Sequence, residues 1–152
     1  MNNNNWGPAT WVLLHTIAAK IKSEYFLPNK VFFINIIKLI CKTLPCEDCA
    51  NHATILLNNY KHFHKLNTLH EFQIWLWEFH NIINIKLGKK EVSKDILQNF
   101  HKNNLIQLLQ FWNTKYKLNV QTAYQLKHSI DINNTRNIVN TFIHSNKLLF
   151  HM

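Results

Sequence analysis

With 152 residues and 47% hydrophobic content, the chain has room for one domain with a true core, burying roughly 70% of its unfolded surface, and a disordered polymer is excluded. Two glycines and three prolines supply so little turn chemistry that helices are the expected currency of the fold. The net charge of +9 comes mainly from lysines scattered along the chain, without the dense basic run of a nucleic-acid-binding tail, so it reads as solvated surface charge.

The start, Met1-Asn2-Asn3-Asn4-Asn5, is polar and has no signal-peptide character. From Pro8, which a first helical turn tolerates, Trp11, Leu14, Ala18 and Ile21 recur at helical spacing. Pro28-Asn29 is expected to end that helix and to cap a second over residues 30–43, apolar around most of its circumference and therefore buried on more than one side. Its longest apolar run is broken by Asn35 and Lys38, too short and too polar to span a bilayer. Pro45 closes it, because a residue before proline resists the α region.

A third helix is expected over residues 46–60, with Ala53, Leu56, Leu57 and Tyr60 facing inward. Glu47 and Asp48 lie in its first turn, where the helix dipole favours acids. Thr68-Leu69-His70-Glu71 has capping-box spacing and opens a fourth helix that stops at Gly88. Ser93 can cap a fifth element containing Ile96, Leu97 and Phe100, and residues 105–116 read as helix. Further on the pattern weakens: residues 135–149 could form a terminal helix, with Asn133-Asn134 read as a loop before it. The whole is one all-α domain of four or five helices with a C-terminal extension.

Cys46-Glu47-Asp48-Cys49 puts two thiols three residues apart at a helix start, close enough to bond across the first turn. The positive helix end lowers a thiol pKa and supplies thiolate, the reacting species. A thioredoxin fold would need a strand before that helix and βαβ units around it, whereas residues 31–44 read as a long helix. Zinc is the competing chemistry, with Cys46, Cys49 and His52 as three ligands and another histidine as the fourth. It lacks a second tight ligand pair, since His62-Phe63-His64 is a poor substitute. Cys41, the remaining cysteine, reads as a small buried hydrophobe, with an intermolecular bridge or a resolving role left open.

On the fourth helix Trp77, His80, Asn81 and Asn84 share an arc of roughly 100°, while Phe72, Leu76, Phe79 and Ile83 form a separate core stripe. Trp11 and His15 repeat the aromatic–imidazole pairing on the first helix. Taken singly, a Trp or His beside a core is ordinary packing. Two helices with the same combination, next to a dithiol, point instead to a flat heteroaromatic cofactor. Lys86, Lys89 and Lys90 follow, placed either for a pyrophosphate or simply for solvent.

Three blocks in this order resemble the Erv/ALR family of FAD-linked sulfhydryl oxidases. Trp6-Gly7-Pro8-Ala9-Thr10-Trp11, continuing to His15-Thr16-Ile17-Ala18-Ala19, is similar to the family's opening helix. Leu44-Pro45-Cys46-Glu47-Asp48-Cys49-Ala50-Asn51-His52 looks like its redox centre. Trp77-Glu78-Phe79-His80-Asn81-Ile82-Ile83-Asn84, continuing to Lys89, resembles its flavin helix. The resemblance implies a four-helix bundle with a short fifth helix, holding FAD at its mouth and commonly forming a homodimer. It implies that residues 1–117 form the oxidase domain and that 118–152 are an extension about which the family pattern says little.

The resemblance further implies that Trp11, His15, Asp48, His52, Trp77, His80, Asn81, Asn84 and Lys86 line the flavin site. Gly7 would let the backbone approach the cofactor and Lys89 would lie near its phosphates. Cys46 would exchange with a dithiol protein substrate and Cys49 would pass electrons to FAD, then to molecular oxygen. Two family features are missing: a bracing disulfide, where Trp77 and Lys94 stand instead, and a second shuttle pair. Electrons would therefore come directly from a separate protein, for which a thioredoxin-like carrier is a candidate. The short chain is most similar to versions in large cytoplasmic DNA viruses, which implies the host cytoplasm or the virion.

Overall fold

The computed structural model describes residues 5–60 and 62–152; the polar residues 1–4, read above as free of a signal peptide, lie outside them. Six α-helices stand among the described residues: α1 (Trp6–Lys20), α2 (Ser23–Lys42), α3 (Glu47–Asn59), α4 (Leu69–Lys86), α5 (Leu105–Lys115) and α6 (Ala123–Ser145). The described residues form no strand beyond one isolated bridge between Ile21 and Phe150. No described helix is long and apolar enough to cross a membrane.

The expected caps operate. Thr68 accepts from Glu71 N–H at 3.1 Å to open α4, although the return arm of Glu71 reaches Asn67 N–H (2.9 Å) instead of the cap residue. Gly88, at φ 69°, takes the left-handed conformation beyond the helix end that favours glycine. Asn104 and Thr122 cap α5 and α6 in the same way.

Two boundaries differ from expectation. Pro28 does not break a helix; it sits inside α2, which starts at Ser23. Phe26, which is buried, explains why, for it stacks on Phe72 (5.1 Å between ring centroids) and Phe33 (6.4 Å). Burying such a ring stabilises by about 1.5–3 kcal/mol, which offsets most of the roughly 3 kcal/mol that a helical proline costs. Nor do Asn133 and Asn134 form a loop, since α6 runs straight through them. Both point to solvent, while Ile132, Thr135, Val139 and Ile143 are buried in a stripe at helical spacing. That stripe outweighs the ~0.7 kcal/mol that each asparagine costs a helix. The element capped by Ser93 forms two 3-10 turns, Lys94–Gln98 and Phe100–Lys102.

α1 packs on α4 and α5, and α2 packs on α3, α4 and α6, so α6 shares the bundle's core instead of hanging from it. A polar knot joins three of these helices. The buried Tyr116 hydroxyl donates to the Ile40 carbonyl (2.7 Å) and lies 3.0 Å from Thr43 Oγ1, itself 2.8 Å from Thr135 Oγ1. The chain end is tied back as well: Lys22 N–H donates to Leu149 O (2.8 Å), and His151 N–H to Lys20 O (2.7 Å). Phe150, 1% exposed, fills the space between Phe33 and Phe142.

If the tail is structural, Phe150→Ala costs about 3–5 kcal/mol through transfer and cavity terms. At this chain length 3 kcal/mol lowers the thermal midpoint by about 6–12 °C. A shift below about 2 °C in a calorimetric scan would show that the tail only rests on the bundle.

Candidate functional site

The dithiol sits where α2 hands over to α3. Thr43 ends α2, Pro45 forbids its continuation, and Cys46 takes an extended backbone (φ −143°, ψ 114°) as the N-cap of α3. In that position its Sγ accepts the Cys49 backbone N–H at 3.3 Å. Cys46 and Cys49 are joined in a disulfide, with Cα atoms 5.1 Å apart, and both are half-buried. The free thiol, Cys41, is buried in the core, and that burial pushes its pKa up to about 12. It stays protonated and inert at neutral pH.

A second cluster forms between α1, α4 and the turn at Phe100. The Trp11 and His80 rings stack at 3.9 Å with a 12° interplanar angle. His15 stacks on Phe100 at 4.9 Å and meets His80 through Nε2···Nδ1 at 3.0 Å. His15 Nδ1 is buried without a hydrogen-bond partner. Burial, and next the facing His80, hold the His15 pKa down at about 3. Burial, and next the charge of Lys89, hold His80 down at about 4. Both imidazoles are therefore neutral at pH 7, with one proton shared between the facing nitrogens.

The other expected residues divide. Trp77 Nε1 and Asn81 Nδ2 both donate to the Val92 carbonyl (2.9 and 3.1 Å), and Asn81 Oδ1 accepts Val92 N–H at 2.8 Å. Their polar atoms thus clamp the loop after Gly88 onto α4. Asn84 is buried and its carbonyl receives Lys89 N–H at 2.8 Å. Asp48, His52, Lys86 and Lys89 are exposed. Gly7 lies in the first turn of α1, and a Cβ there would meet no protein atom within 4 Å. Among the described residues no three His, Cys, Asp or Glu side chains are grouped to hold a metal ion.

Sequence reasoning missed Phe100 as a partner of His15, having read it only as an apolar position. It also missed Tyr124 and His128, which α6 brings to the cysteine turn. Tyr124 OH donates to Glu47 Oε1 at 2.6 Å, and His128 Nε2 lies 2.7 Å from Leu44 O. No local pattern marks either residue.

The all-α bundle carries a disulfide at a helix N-terminus and a neutral aromatic–imidazole cluster on α1 and α4, and the first of these suits thiol–disulfide chemistry. The Erv1 / Alr family model matches residues 8–105, and the chain belongs to that family. A FAD-linked sulfhydryl oxidase of African swine fever virus (isolate Warthog/Namibia/Wart80/1980) is 30% identical over 112 residues, covering 74% of this chain and 92% of the relative. The FAD-linked sulfhydryl oxidase ERV1 of Oryza sativa subsp. japonica is 35% identical over 88 residues, covering 55% of this chain and 42% of the relative. No solved structure matches the chain.

The imidazole pair makes stability acid-sensitive. Both folded pKa values lie below the unfolded value of about 6.5, so the unfolded chain binds more protons between them and stability falls as pH drops from about 6.5 towards 4. His15→Phe should lower the proton uptake on unfolding by about one across that window. Urea midpoints measured at several pH values check this; an unchanged slope would mean that His15 is charged in the folded protein.

Proposed function

We propose that this chain is an FAD-dependent thiol oxidase that converts the dithiol of a protein substrate to a disulfide through Cys46 and Cys49. The observation that carries the reading is the disulfide itself, set at the mouth of α3 with one sulfur serving as the helix cap. A helix N-terminus stabilises the thiolate that leaves when such a bond is attacked.

The residues present fit a bound flavin. The buried, partnerless His15 Nδ1 costs about 1–3 kcal/mol if left so, and a ligand with complementary hydrogen-bonding groups would relieve it. Trp77 and the outer faces of the Trp11–His80 stack are the aromatic part of the proposed lining. Asn84 supplies an amide while the Asn81 amide already holds Val92, and Asp48, His52 and Gly7 complete it. Lys86 and Lys89 are the cations suited to a pyrophosphate. FAD, when bound, supplies a two-electron acceptor that molecular oxygen can reoxidise, giving hydrogen peroxide.

The protein's own steps follow thiol exchange. A substrate thiolate attacks Cys46 Sγ, the substrate–Cys46 bond forms, and the Cys46–Cys49 bond breaks with its electron pair left on Cys49. The second substrate thiolate then attacks the substrate sulfur of that mixed disulfide. The substrate leaves oxidised, Cys46 departs as a thiolate facing the Cys49 N–H, and two protons have passed to solvent. The pair now holds two electrons for the acceptor.

With Cys41 buried, no second pair relays electrons, so the substrate is a separate dithiol protein, and a thioredoxin-like carrier fits. The viral relative supports a place in the host cytoplasm or the virion. A homodimer completes the reading, with the exposed Leu27 and Val31 of α2 as an apolar face for a second copy.

The purified protein should be yellow, bleach with dithiothreitol in the absence of air, and consume oxygen when a dithiol is supplied. Cys46→Ser and Cys49→Ser should each abolish oxygen uptake. Cys41→Ser should keep turnover while losing about 1–3 kcal/mol of stability, the cost of burying a hydroxyl. A colourless folded protein that takes up no oxygen with added FAD and dithiol would refute the proposal.

A further inference from the structure

α6 lies beyond the family match, which ends at residue 105, yet two of its side chains reach the cysteine turn. Tyr124 and His128 are four residues apart and so share one face of the helix. Tyr124 OH donates to the Glu47 carboxylate at 2.6 Å, and His128 lies 2.7 Å from the Leu44 carbonyl through Nε2. A carbonyl can only accept, so Nε2 of His128 carries the proton. The two contacts fall on either side of Pro45-Cys46, the segment that must hold its extended shape for Cys46 to cap α3.

We propose that Tyr124 and His128 are positioning residues for the dithiol: they brace the turn from outside and keep the Cys46 sulfur at the helix N-terminus when the disulfide is opened. The inference rests on the reading of Cys46–Cys49 as a redox pair.

Two physical effects of the brace have the same sign. His128 fixes the carbonyl two residues before Cys46, which restrains the backbone that sets the cap. Without it the sulfur is free to swing away from the Cys49 N–H and from the helix dipole, losing what stabilises its thiolate. Tyr124 occupies the carboxylate of the residue next to Cys46. The same hydrogen bond, and next the carboxylate charge, raise the Tyr124 pKa, so the phenol stays a donor. A released Glu47 would present a bare negative charge beside a nascent thiolate and disfavour it. Loss of either contact should therefore raise the Cys46 pKa and make the reduced pair less stable relative to the disulfide. Tyr124 is 70% exposed, so its loss should leave the fold standing.

The test uses the full chain and reads thiols, not turnover. In a Cys49→Ser background, which retains the backbone N–H that Cys46 accepts, alkylation of reduced Cys46 by iodoacetamide is followed against pH by mass spectrometry. Tyr124→Phe and His128→Ala should each slow alkylation near neutral pH by about three- to tenfold, with helical circular dichroism unchanged. His128→Gln, which keeps a donor for the Leu44 carbonyl, should restore most of the rate. With Cys49 present, both disruptive variants should shift the equilibrium with dithiothreitol towards the protein disulfide. Identical alkylation profiles in all variants would overturn the proposal. So would slowed alkylation that appears only with loss of helix, since the contacts would then hold the fold and nothing more. Because this labelling needs no flavin, failure to bind FAD would count against the proposed oxidase without obscuring the result for the brace.

Discussion

The short stretch in which Cys46 caps α3 carries the weight of this structure. A helix N-terminus exposes N–H groups with no intrahelical acceptor, and an oxygen-bearing side chain usually takes them. Here a sulfur does so, and the same sulfur is half of a disulfide. The consequence is asymmetric. As a disulfide, Cys46 is a weak acceptor in a turn shaped by Pro45; as a thiolate, it becomes the charged cap for which the helix end is suited. Under the proposed chemistry, the helix end would favour the reduced pair, in which Cys46 is a thiolate at the cap position.

The aromatic–imidazole cluster depends on the opposite treatment of charge. Desolvation keeps His15 and His80 neutral, and their mutual hydrogen bond settles only one nitrogen of each. What holds them is a run of rings along α1, α4 and α2. Trp11 meets Phe79, Phe79 meets Trp75, Trp75 meets Phe72 and Phe72 meets Phe26, with centroids between 5.1 and 6.1 Å apart. Three of these come from α4, so the helix that presents His80 and Asn81 on one side is anchored through the core on another. A polar site on such a support costs little mobility, because its side chains stand on packed rings and not on loops.

Much of this was legible because helix periodicity and capping are local. The starts of α1, α3 and α4 and the end of α4 follow from Pro8, Cys46, Thr68 and Gly88, and the division of α4 into an aromatic stripe and a polar stripe follows from spacing alone. Pro28 and Asn133-Asn134 misled because a local breaker signal met a tertiary contact worth more: Phe26 among its ring neighbours, and the Ile132–Val139–Ile143 stripe on the bundle. The pairing of His15 with Phe100 spans 85 positions, and no pattern of period 3.6 can announce it. Tyr124 and His128 were hidden for the same reason, since their partners lie about 80 residues earlier in the chain.

Where the resemblance implied a bracing disulfide, hydrogen bonds hold the chain instead. Trp77 stands where a bracing cysteine was expected, and its indole N–H, with the Asn81 amide, clamps Val92 two residues before Lys94. Three hydrogen bonds at a half-buried site, each worth about 0.5–1.5 kcal/mol net, approach the 2–4 kcal/mol of a typical disulfide. They also leave no second oxidisable pair near the first. A structural disulfide depends on the redox poise around it, whereas an indole and an amide hold the loop whatever that poise is. The tail follows the same economy, fastening α6 to the core through Phe150 and the Thr43–Tyr116–Thr135 knot. Hydrogen bonds and apolar packing thus hold the loop after Gly88 and α6 without a further disulfide among the described residues.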